Sequence, residues 1–242
     1  MRKWIISVTL VLLTELAQAQ INEQLFRTKT GQLKQLVREQ AEKEGVWLQP
    51  ALQTKLKRWN RALAQDANQK SPYVQARYDF YQCALALGAL AAKDPLYGPS
   101  VQEIEDRLER WETKASDLAG KLSNGIYRVT EMSGLWAAKA GADESEVELV
   151  MKRLKYEDHN SPTVHRQMKN GLYRTMEMYL LIAKTMEISS DQIDPVLLRL
   201  REKDAQAKTI FEQIENGLDR SIEMLALIVK PIPVEPKKKA TP

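Results

Sequence analysis

A nine-residue motif recurs three times at a spacing of 46 residues, and that period restricts the chain to architectures made by stacking one small unit. Residues 124–132 read NGIYRVTEM, residues 170–178 read NGLYRTMEM, and residues 216–224 read NGLDRSIEM. Asn, Gly, Arg, Glu and Met keep their places in every copy, and the third position is always Ile or Leu. The likeness extends beyond the motif. Val147, Val150, Met151 and Leu154 match Ile193, Val196, Leu197 and Leu200, at the i, i+3, i+4, i+7 spacing of a helix with one apolar stripe. One period earlier Val101, Ile104 and Leu108 keep that stripe, and Arg107 matches Arg153 and Arg199. A fainter echo links LKRW at 56–59 with LERW at 108–111, spaced by 52, so the repeat fades toward the N-terminus.

Helix punctuation has the same period. Asp143-x-x-Glu146, Ser189-x-x-Gln192 and Ser100-x-x-Glu103 read as capping boxes that open a shorter helix in each unit. Ser71-Pro72 and Ser161-Pro162 place an N-cap and a first-turn proline before longer apolar segments. The Asn-Gly pairs could mark tight turns. However, the stripe Val164, Met168, Leu172, Met176, Tyr179, Ala183 steps by four or three without a break, as does Ile210, Ile214, Leu218, Ile222, Leu225, Val229. A single helix through each pair keeps the stripe continuous. Gly125, Gly171 and Gly217 then permit a close helix crossing, the alternative being a C-capping glycine between two shorter helices.

The resulting map has nine helices, at 22–43, 50–66, 72–93, 100–113, 115–140, 144–157, 162–187, 190–205 and 207–230, with essentially no sheet. The expected class is all-α: a tandem repeat of helical hairpins forming an α-solenoid-like superhelix, or, second, a compact bundle in which the units close on themselves.

The first nineteen residues read as an export signal. Arg2 and Lys3 precede an apolar run from Trp4 to Leu13, and Ala17-Gln18-Ala19 supplies the small residues of a cleavage site. The run is short of the roughly 20 residues that span a bilayer. The alternative is an uncleaved membrane anchor. With cleavage, residues 20–230 form the helical domain, periplasmic in location, and 231–242 (PIPVEPKKKATP) form an extended tail. Losing Arg2, Lys3 and Glu15 lowers the net charge from +4 to +3. Lys237, Lys238 and Lys239 against Glu235 put +2 of that in the tail, so the body carries +1 and nucleic acid is not an expected partner. The tail's lysines suit a weak contact with an anionic envelope surface.

The candidate interaction face comprises Arg128 and Glu131, Arg174 and Glu177, Arg220 and Glu223, together with Tyr127 and Tyr173. Each Arg and Glu lie three apart on one helix face. They are read either as structural pairs, within a helix or reaching the next unit, or as a stripe facing a partner, where Tyr and Arg are favoured. Asp219 replaces Tyr in the last copy. His159 and His165, with Glu157 and Asp158, straddle Pro162 and lack a metal-ligand pattern, so neither metal nor cofactor is expected. Cys83 reads as a buried small hydrophobe. Trp47, Trp59, Trp111 and Trp136 sit at core spacing rather than along a sugar cleft. No nucleophile elbow, P-loop or dinucleotide fingerprint occurs. The expected function is binding: a scaffold or accessory subunit for a protein partner in a bacterial envelope complex, for example a secretion or transfer apparatus. The alternatives are an enzyme with a site between helices, or a tether acting through the Lys tail.

Overall fold

A computed structural model describes the backbone over 2–158 and 161–230 and the side chains over 22–156 and 161–230. Among these residues there are nine α-helices and no strand: α1 (Arg2–Lys43), α2 (Pro50–Gln65), α3 (Pro72–Ala91), α4 (Gly98–Lys114), α5 (Leu118–Lys139), α6 (Glu144–Lys152), α7 (Val164–Thr185), α8 (Ser190–Gln206) and α9 (Ile210–Val229). A 3₁₀ turn, Pro95–Tyr97, leads into α4, and α6 continues as a π-helical turn over Arg153–Asp158. The periodicity places each element within about three residues, except that α1 begins at Arg2 instead of 22, because no Gly or Pro interrupts residues 1–30. Residues 1–19, expected to be an export signal, thus fall largely within the first part of α1, and their side chains lie outside the described residues, as does the whole tail 231–242. No helix among the described residues is long and apolar enough to cross a membrane.

Several caps differ from the sequence reading. Asp143 caps α6, accepting from the Ser145 and Glu146 amides. Ser189 and Ser71 stand at N-cap positions without a side-chain bond. Ser100 lies inside α4, which the 3₁₀ turn starts two residues earlier. Thr163, not Ser161, caps α7. The complete capping box is at Thr209 and Glu212, opening α9.

The long helices α1, α3, α5, α7 and α9 pack side by side in that order, and α1 packs on α9 as well as on α3. The shorter helices lie outside; α2, α4 and α8 pack chiefly on the long helix that follows. Phe26, Leu33, Phe80, Leu87, Ile126, Met132, Leu172, Tyr179, Leu218 and Leu225 join all five long helices in one buried core. Cys83 is buried within it.

Each Asn-Gly pair lies inside a continuous long helix, and its glycine is the point of closest approach to the preceding one. A Cβ on Gly125 would lie 2.9 Å from Phe80 Cβ, on Gly171 2.7 Å from Ile126 Cγ2, and on Gly217 2.6 Å from Tyr173 Cε1, with Leu172 Cβ at 3.2 Å. In all three cases the glycine faces the residue 45 positions earlier and the tyrosine 44 earlier, so the contact repeats in register.

Helix α1 carries no copy of the motif and adds ion pairs to its core contacts. Thr30 donates to Asp79 (3.2 Å), which also takes the Lys34 ammonium, while Lys29 reaches Asp219 at 3.0 Å. Asp79 stands one period before Gly125, and Asp219 one period after Tyr173. The array thus presents an Asp at each end, where the neighbouring repeat is missing. Near the other end of α1, Glu39 pairs with Lys230 (2.8 Å), and Glu44 with Lys93 (2.6 Å) and Lys139 (3.7 Å).

Two predictions follow from this packing. Gly125→Ala should lower stability by about 1–3 kcal/mol through overpacking against Phe80 and Tyr81, despite the helix-propensity gain. Gly31→Ala, where the new Cβ meets nothing within 4 Å, should raise it by up to about 1 kcal/mol. Urea denaturation of both variants checks the contrast. The bond from Lys93, aided by Lys139, holds the Glu44 carboxyl below the usual range. Its contribution is therefore present above the ordinary Glu value of about 4.3 and is lost as pH falls through the lowered folded value. Glu44→Gln should accordingly flatten the acid limb of stability between about pH 5 and pH 3, read from denaturation midpoints.

Candidate functional site

The motif's polar residues work at the joints between helices. Asn124 Nδ2 donates to the Leu108 carbonyl at 3.0 Å, and Asn216 Nδ2 to Leu200 at 2.9 Å, tying the C-terminal part of α4 or α8 to the following long helix. The matching Leu154 lies in the π turn, and Asn170 Nδ2 instead donates to Ser161 Oγ at 3.2 Å. The tyrosines point forward along the array. Tyr173 donates to Asp204, with the Gln213 carbonyl 3.4 Å away. Two periods earlier, Tyr81 donates to Glu112, with the Lys121 carbonyl at 3.2 Å. Burial and these carboxylates push both phenols up, so they remain donors.

The Arg/Glu pairs are part of a larger group. Arg128 Nη1 lies 2.6 Å from Glu131, and Arg107 of α4 reaches the same carboxylate at 2.9 Å. Arg174 and Arg153 converge on Glu177, each at 2.8 Å. Arg220 (3.1 Å) and Arg199 (2.6 Å) converge on Glu223. Every unit therefore holds one carboxylate between two guanidiniums, one from the long helix and one from the short helix of the same unit. The expected reach into the next unit is made by Tyr instead of Arg. In the first group Arg107 also pairs with Glu103, and in the last Asp219 lies 3.9 Å from Arg220, so these two groups each hold two guanidiniums and two carboxylates. Arg128 and Arg220 are buried, as is Tyr127, while Tyr173, Arg174 and the three Glu are partly covered. In the first triad burial works against both charges, lowering the Arg128 guanidinium and raising the Glu131 carboxyl, and Arg107 adds to the depression of Arg128.

The sequence reading missed the third member of each triad. Arg107, Arg153 and Arg199 have the right period, but the 24-residue step to the Glu is legible only once the hairpin register is known. Trp111 corrects another expectation. Trp59 and Trp136 are buried in the core and Trp47 is partly covered, whereas Trp111 is 46 % exposed. It stands at the mouth of a hollow of about 340 Å³ between the α4–α5 turn and the start of α7, with Arg128 among the lining.

No protein-family model, curated protein or solved structure matches the chain.

Among the described residues no group of three or more His, Cys, Asp or Glu could hold a metal ion. His165 packs edge-on against Phe211 with ring centroids 5.0 Å apart, and the other three members of that cluster lie outside the described side chains. Burial pushes the Cys83 thiol up, away from thiolate reactivity.

The Glu side chains grow more exposed along the array, from 15 % at Glu131 to 34 % at Glu223, and this sets the expected cost of removing them. Glu131→Gln leaves the buried Arg128 without its carboxylate, while Arg107 keeps Glu103, and should cost about 3 kcal/mol. Glu223→Gln, nearer solvent, should cost under about 1 kcal/mol. Chemical denaturation of the pair of variants measures the difference.

Proposed function

We propose that the protein is an exported helical-repeat scaffold, an accessory subunit that binds another protein in a bacterial envelope complex such as a secretion or transfer apparatus. Its repeat units, on this reading, close on themselves through α1 rather than winding as an open superhelix. Support for closure comes from the packing of α1 on both α3 and α9 and from the two Asp residues that meet its lysines. Support for export comes from the leader-like residues 1–19.

The observation that carries the binding role is the row of Arg–Glu–Arg triads. Their inner arginines are committed to the fold, while their outer ones recur once per unit and become more accessible along the array, reaching 46 % at Arg199. A charged feature repeated at the spacing of the units suits an extended partner surface. Leu48 and Leu96, strongly exposed in the α1–α2 and α3–α4 connections, offer further apolar anchors.

The test is cross-linking in the native envelope followed by mass spectrometry, comparing the wild-type chain with an Arg107→Ala, Arg153→Ala, Arg199→Ala variant of unchanged helicity. The outer arginines are chosen because substituting Arg128 or Arg220 would disturb the core. A stoichiometric protein captured by the wild type and lost from the variant is the expected result. No stoichiometric protein partner in either sample, or equal capture by both, sinks the reading.

A further inference from the structure

The hollow beside the α4–α5 turn has a buried cation in its lining. Arg128 is 8 % exposed; its Nη1 lies 2.6 Å from Glu131, and its Nε is buried with no hydrogen-bond partner among the described residues. Glu131 is shared with Arg107, which also pairs with Glu103, so the charges of the group balance while the Arg128 Nε stays buried without a hydrogen-bond partner. Lys114 adds a cation at the rim, its Nζ 5.9 Å from the centroid of the exposed Trp111 ring. The acid in the lining, Asp117, is occupied in capping α5 through the Gly120 amide at 2.7 Å. Ser116, Ser123 and Gln167 supply further polar groups. An exposed indole and a buried guanidinium lining one hollow suit a ligand with a ring face and an oxyanion.

We propose that this hollow binds a ring-bearing organic carboxylate, its carboxylate at Arg128 and its ring on Trp111. The corresponding hollow two periods later, about 370 Å³ beside Arg220, serves as an internal contrast. There Lys203 replaces Trp111, Glu215 replaces Ser123 and Asp219 replaces Tyr127, removing the platform and lining the guanidinium with carboxylates. The lining there balances Lys203, Lys208 and Arg220 against Glu212, Glu215 and Asp219, whereas the first hollow sets Lys114 and Arg128 against Asp117 alone, so an anion is favoured in the first. This inference is independent of the scaffold reading.

The experiment is a titration of the full chain at low salt, followed by calorimetry and tryptophan fluorescence. Two carboxylates from different sources, glucuronate and benzoate, are compared with the neutral glucose and benzamide. The expected result is a Kd on the order of 1 mM or tighter for at least one acid, with a change in fluorescence and at least about 10-fold weaker binding of the neutral counterpart. Glucuronate alone would identify a sugar acid, and benzoate alone an aromatic acid. Ser123→Glu, which installs the side chain found in the last copy, should weaken acid binding by about 10-fold or more. Trp111→Ala, at an exposed position, should do the same, and it keeps the test decisive if the first variant does not fold. No binding of either acid up to about 20 mM overturns the proposal. So does equal binding of the neutral compounds, or acid binding unchanged by Trp111→Ala.

Discussion

Helices α5, α7 and α9 each meet the preceding long helix at a glycine lying against the side chains of an apolar residue and a tyrosine, and the rest of the packing is organised by that contact. A glycine inside a helix costs about 1 kcal/mol relative to alanine. The cost is offset because the missing Cβ lets Phe80, Ile126 and Leu172 approach the next backbone closely, gaining dispersion contacts along the two helices. The same approach brings Tyr81 and Tyr173 within reach of Glu112 and Asp204, so a steric allowance also fixes a polar contact. Asn then anchors the outer helix, and the shared Glu joins the two helices of a unit. The nine-residue motif is a set of joints.

A joint of this kind needs a partner on both sides, and the ends of the array lack one. At the first long helix of the repeat the glycine position is occupied by Asp79, and at the last the tyrosine position by Asp219. Both face α1, which supplies Thr30, Lys34 and Lys29 in place of an apolar residue and a ring. Ion pairs in such half-covered positions are individually modest. Their role here is specificity: they accept α1, whose lysines match them, where another motif-bearing helix would leave both aspartates without a cation.

The element boundaries were legible because apolar stripes at a period of 3.6 residues run uninterrupted through each helix, including across the Asn-Gly pairs. The ends were read less well. Ser100 and Ser161 looked like caps, but proline geometry moved the helix starts to Gly98 and Val164, while the real capping box at Thr209 and Glu212 had the right pattern and went unread. Of the candidate site, the Arg/Glu pairs were visible as neighbours three apart on one helix. Their third partner, 24 residues upstream, depends on how a hairpin folds back, and single-helix periodicity carries no information about that. Trp111 was assigned to the core because it shares the phase of buried residues; its place near the C-terminal end of α4 exposes it instead.

The three triads share one chemistry and differ in surroundings, and that difference bears most directly on function. The inner guanidinium of each group sits among different neighbours. In the first unit it lines a hollow with serines and an indole. In the last, Glu215 and Asp219 share the adjoining hollow with it. Stacking demands the same joints from every copy, so it cannot account for residues that change from copy to copy around an unchanged Arg. Those changes at positions 111, 123 and 127 and their counterparts 203, 215 and 219 separate what the repeat needs for assembly from what a single unit is free to use for binding.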